Sequence, residues 1–158
     1  MKKLIALLCV PLFLSACAST NYQMKDKWGY GYQETKLQED VYRVDYEGSE
    51  DTNVTTMKDY TLLRCAELTL QKGAKYFAIL DTKAETRMSV INVPTAYQRP
   101  YPYYLDPYPQ NAMTTQTFAE PSLSNTIQIF KERPQNVNAL IYDAQKIQEN
   151  LKAKYKLK

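Results

Sequence analysis

Histidine is absent from this chain. That removes the commonest biological metal ligand and the one side chain whose ordinary pKa lies near neutrality, so zinc centres and histidine-based triads are excluded. Glycine is sparse, at 4 of 158 residues, and no GxGxxG, phosphate loop or GxSxG occurs. Nucleotide cofactors and hydrolase nucleophiles are left without a signature. An excess of charge is missing as well: 20 Lys and Arg face 17 Asp and Glu, so no global field draws the chain to nucleic acid. The apolar run at the N-terminus, residues 4–13, is about ten residues, too short to cross a ~30 Å hydrocarbon core as a helix.

What that run does have is the layout of an export leader. Lys2 and Lys3 precede it, and the small residues Ser15 and Ala16 close it. Leu14-Ser15-Ala16-Cys17 resembles the lipobox of bacterial lipoproteins. The resemblance implies that a signal peptidase recognises Leu14, Ser15 and Ala16, and that Cys17 carries a diacylglycerol and becomes the first mature residue. Each buried acyl CH₂ contributes about 0.8 kcal/mol, so several chains on one residue hold a protein firmly to a bilayer. Ala18, not Asp, follows the cysteine, which under the same resemblance points to the outer membrane with the domain facing the periplasm. Of the three cysteines, Cys9 leaves with the leader and Cys17 is acylated. Cys65 then stands alone, and no internal disulfide can form.

Removal of residues 1–16 leaves about 140 residues, enough for one domain with a real core. Residues 17–27 read as the acylated cysteine and a flexible polar tether, and residues 28–158 as a single α+β domain. Residues 28–37 read as a strand. In the next, Tyr42, Val44 and Tyr46 share one face while Arg43, Asp45 and Glu47 share the other. Thr56 offers a helix cap, and Leu63, Ala66 and Leu70 recur at helical spacing beside Leu62 and Cys65. Arg64, Glu67 and Gln71 line the polar stripe, and Gly73 ends the helix. Residues 76–80 form an apolar strand that continues toward Val90, and residues 126–130 form a fourth. A last helix over about 138–155 carries Leu140, Ala144, Ile147, Leu151 and Tyr155 on one stripe. The order ββαββα predicts a two-layer sandwich: a four-stranded, mainly antiparallel sheet with both helices on one face.

Residues 92–125 read as a Tyr/Pro-rich insertion between strands three and four. Five tyrosines, Tyr97, Tyr101, Tyr103, Tyr104 and Tyr108, and four prolines fall within residues 97–110. The prolines forbid a helix and a regular ladder, while tyrosine supplies contact area at little entropic cost and favours membrane interfaces. The segment fits a docking arm for an envelope protein, a foot on lipid headgroups, a platform for sugar rings, or a flap covering the open face of the sheet. Arg64 and Glu67, three apart on a helix, read as a solvated ion pair. Cys65 reads as core packing. Lys152, Lys154, Lys156 and Lys158 make a basic C-terminus that suits a helix end or an anionic surface. No catalytic pairing of carboxylates is recognisable, and neither a cofactor nor a metal is expected.

Three stretches resemble a family of proteobacterial lipoproteins of uncharacterised function. They are Gly31-Tyr32-Gln33-Glu34-Thr35, then Tyr42-Arg43-Val44-Asp45-Tyr46-Glu47-Gly48, then Leu62-Leu63-Arg64-Cys65-Ala66-Glu67-Leu68-Thr69-Leu70 with Gly73 and Tyr76-Phe77. The match covers residues 28–81 and implies location and fold, with no activity. The expected role is a non-catalytic binding or scaffolding module of the cell envelope. An envelope-stress sensor and a cell-wall hydrolase are the alternatives.

Overall fold

The structure, a computed structural model, describes residues 22–94 and 113–158. Cys17, its lipobox neighbours and the five tyrosines from Tyr97 to Tyr108 lie outside the described residues. Within them the chain is α+β. The elements are β1 (Gly31–Gln38), β2 (Val41–Glu47), α1 (Val54–Gln71), β3 (Tyr76–Pro94), β4 (Met113–Phe130), β5 (Ile141–Asp143) and α2 (Ala144–Tyr155). The sheet is antiparallel throughout, in the order β1-β2-β4-β3-β5.

Alternation in β2 sets the buried face. Val44 and Tyr46 are fully enclosed, and across the ladder they meet Asn125 and Leu123, with Tyr42 opposite Ile127. Helix α1 lies on this face and contributes Leu63, Cys65, Ala66 and Leu68. Each large side chain fully buried here is worth about 1.5–3 kcal/mol. Helix α2 packs beside α1 and seats Ala144 and Ile147 on the same core. The other face of the sheet is polar, with Gln33, Arg43, Asp45, Lys83, Glu85, Ser124 and Thr126 along it.

The ends of the helices follow from local chemistry. Asn53, not Thr56, caps α1, accepting from the Thr55 N–H at 2.8 Å. At the other end Ala74 N–H donates to Thr69 and Gly73 N–H to Leu70, a pattern that needs the left-handed φ of +73° at Gly73. Asp143 caps α2.

Three expectations need correction. The sheet has five strands, not four. Residues 141–143, read as helix, pair with Tyr76, Phe77 and Ala78, and Leu140 is exposed rather than part of the apolar stripe. A three-residue strand is too short to show a period of two. Second, residues 22–27, read as part of a flexible tether, belong to the folded unit: residues 22–30 pack on the domain, through a bridge between Met24 and Tyr32 and the ring of Tyr22 against Tyr32 and Tyr60. Third, much of residues 92–125 is ladder. Strand β4 begins at Met113 and pairs with β3 out to Pro94. Its threonine-rich start reads as loop by polarity, although the β-branched side chain suits a strand.

Candidate functional site

The partner strand β2 ends opposite Ser122, but β3 and β4 continue together to Pro94 and Met113. Beyond that row they form a two-stranded ribbon about 30 Å long, at ~3.3 Å per residue. Its charge stops abruptly. From Met88 to Pro94 and from Met113 to Ala119 there is no Asp, Glu, Lys or Arg, the last charged pair across the ladder being Arg87 and Glu120. Met88 and Val90 are 65 % and 60 % exposed, and Ile91 is exposed as well. Since residues paired across an antiparallel ladder share a face, Met88 and Val90 stand on one side with Ala119 and Thr117. Ile91 stands on the other, with Phe118. The ribbon thus carries apolar side chains on both faces, interspersed with uncharged polar ones such as Asn92, Thr115 and Gln116, and it carries residues 95–112 between its two strands.

At the base of the ribbon is a shallow hollow open to solvent, lined by Trp28, Tyr30, Glu47, Arg87, Glu120 and Pro121 among others. Three carboxylates line it. Glu47 takes a 2.5 Å ion pair from Lys25, Glu120 accepts from the Tyr30 and Ser89 hydroxyls, and Glu85 sits opposite Ser122 on the ladder. Trp28, the chain's single tryptophan, is 73 % exposed with the Lys27 ammonium 5.0 Å from its ring centroid.

The N-terminal segment is locked to this end of the domain. Lys25 N–H donates to the Tyr32 carbonyl and Tyr32 N–H to the Gln23 carbonyl. The segment crosses so closely over Gly31 that a β-carbon there would lie 2.6 Å from the Gln23 oxygen. Inside the crossing the Tyr22 hydroxyl donates to Glu67 at 2.5 Å. Arg64 spans the same spot: its guanidinium pairs with Glu34 on β1 and with Glu67, donates to Gln71, and lies 4.5 Å over the Tyr32 ring. Lys152 from α2 closes the network on Glu67 at 3.2 Å.

Arg64 and Glu67 are only 7 % and 9 % exposed, so the solvated helical pair is overturned. Sequence spacing placed both on the polar side of α1 but could not show that Tyr22, β1 and α2 cover that side. The electrostatics follow. Burial alone would raise the Glu67 carboxyl, but bonds from Tyr22, Lys152 and Arg64 outweigh it and hold Glu67 below the ordinary carboxylate range. Burial likewise works against the Arg64 charge, and Glu34 more than compensates. The Tyr22 hydroxyl is pushed up by burial and by its bond to Glu67.

Cys65 is buried and unpaired, as the helical pattern implied. Burial pushes its thiol up to about 12, which leaves it inert rather than nucleophilic. Among the described residues no cluster of three or more Cys, Asp or Glu side chains is placed to hold a metal ion, and no helix is long and apolar enough to cross a membrane.

A second tyrosine cluster adjoins the network: Tyr46, Tyr60 and Tyr155 pack edge to face or tilted, with Tyr22 and Leu157 against them. The Tyr46 hydroxyl is buried and finds no hydrogen-bond partner among the described residues. Such a group costs about 1–3 kcal/mol. Tyr46→Phe is therefore expected to leave the urea midpoint unchanged or raise it, and a clear fall would show that the hydroxyl is bonded.

Compared with family models, curated proteins and solved structures, the chain finds no match.

Proposed function

We propose that this chain is a lipid-anchored protein of the bacterial outer membrane, facing the periplasm, that acts as a non-catalytic binding or scaffolding module. The β3–β4 hairpin is its docking arm. The lipobox at Cys17 and the resemblance to envelope lipoproteins support the location. The observation that carries the docking role is the ribbon, which extends about 30 Å past its last neighbouring strand, is free of charge beyond Arg87 and Glu120 and exposes apolar side chains on both faces. A strand pair of this kind contributes little to the core beneath it.

The test is in-cell photocrosslinking of the full chain from position Tyr103, with Gln71 on α1 as the control position. A specific adduct at 103 and none at 71 is expected, and it should disappear when Tyr101, Tyr104 and Tyr108 are replaced by Ser. Silence at both positions, or adducts confined to the chain itself, would overturn the docking role.

A further inference from the structure

Tyr22, Leu157 and the base of the ribbon lie at one end of the domain. The row where β2 stops is Glu47, Ser122 and Glu85. One residue behind it lies the row of Tyr32, Tyr46 and Leu123. Tyr22 rests on Tyr32 and Tyr60, and Leu157 joins the same cluster. Only residues 18–21 separate Cys17 from the locked Tyr22. Five Cα steps span at most about 18 Å, which is less than the length of the ribbon.

From this juxtaposition we infer that the docking arm's partner is the headgroup layer of the bilayer that holds the anchor, met by the ribbon, by Trp28 and by the C-terminal lysines. The inference rests on the anchored reading above. A tether shorter than the arm brings the arm to the membrane surface. The side chains at this end match that surface by chemistry: a tryptophan of the kind that settles at headgroup depth, apolar Met88, Val90 and Ile91, and a ribbon free of charge beyond Arg87 and Glu120. Lys156 and Lys158 are exposed and pair with no carboxylate among the described residues, so they are available to lipid phosphates.

Depth is bounded too. An open two-stranded ribbon leaves backbone groups unpaired along both edges, which hydrocarbon does not tolerate. The ribbon therefore lies among the headgroups, where water and phosphate satisfy its edges, and does not span.

The experiment uses the full acylated chain in vesicles of phosphatidylethanolamine and phosphatidylglycerol, some bearing brominated acyl chains. Bromine quenches tryptophan only at close range, and Trp28 is the single tryptophan, so no substitution is needed. Quenching is expected with bromines near the headgroup and little with bromines near the chain ends. An environment-sensitive dye on Val90→Cys should shift to the blue, and the same dye on Lys131→Cys, beyond β4 at the opposite end, should not; buried Cys65 does not compete for the label.

Protein that stays with the vesicles through an alkaline wash, with Trp28 unquenched and the dye at 90 reporting water, would overturn this inference and leave the anchor standing. Protein that washes off the vesicles would overturn the anchor itself. In cells, a protein adduct from a photoreactive residue at Val90 would replace the bilayer by a protein partner, while an adduct to phospholipid supports the bilayer.

Discussion

Arg64→Ala should cost about 3–5 kcal/mol of folding stability, the range for removing one member of a buried charge network. For a domain with about 5–15 kcal/mol in total, that is a large fraction. The size follows from what the substitution leaves behind. Glu34 and Glu67 would lose the cation that faces both, Gln71 would lose a donor, and the Tyr32 ring would lose the guanidinium over it. Arg64→Lys keeps the charge but not the planar fork that reaches two carboxylates at once, and should fall between wild type and Ala. Urea unfolding measures both, and a loss below about 1 kcal/mol would return Arg64 to the class of exposed pairs.

Acid titration checks the same network from the other side. Glu67 is held below the ordinary carboxylate range in the folded state, so its contribution is present above that range and is lost as pH falls through the folded value. Glu67→Gln should therefore flatten the acid limb of the stability profile.

Cys17→Ala should reduce incorporation of radiolabelled palmitate to background and remove the mature chain from the outer-membrane fraction. This effect is all or none, because a single residue would carry every acyl chain and a near-neutral domain has no comparable attraction for the bilayer. Labelling that persists in the variant, or a membrane location that survives alkaline extraction, would mean that Cys17 is not the anchor.

Legibility in the sequence tracked how local each feature is. The buried face of β2 was readable because Tyr42, Val44 and Tyr46 alternate with charged residues, and one period of two determines a face. The core side of α1 and its end at Gly73 were readable for the same reason. The Arg64 network was not. Its members lie on four segments, at residues 22, 34, 64–71 and 152, and periodicity gives the direction of a side chain without saying what will cover it. The distal ribbon was missed because polarity suggested loop where threonines form a ladder. Its one sequence-level signal was the lack of charge from Met88 to Ala119 apart from Arg99 and Asp106.

The ribbon's two free edges also bear on handling. Past Pro121, whose carbonyl takes the Gly48 N–H, neither strand has a second neighbour among the described residues. A long, uncharged strand pair with unsatisfied edges is a template for edge-to-edge growth. Pro94 and Pro121, which lack an N–H, interrupt that template only at its tip and its base. A version of the domain beginning at Tyr22 would be expected to self-associate through this hairpin first, and to be kept apart by Lys or Glu placed at Val90 and Thr117.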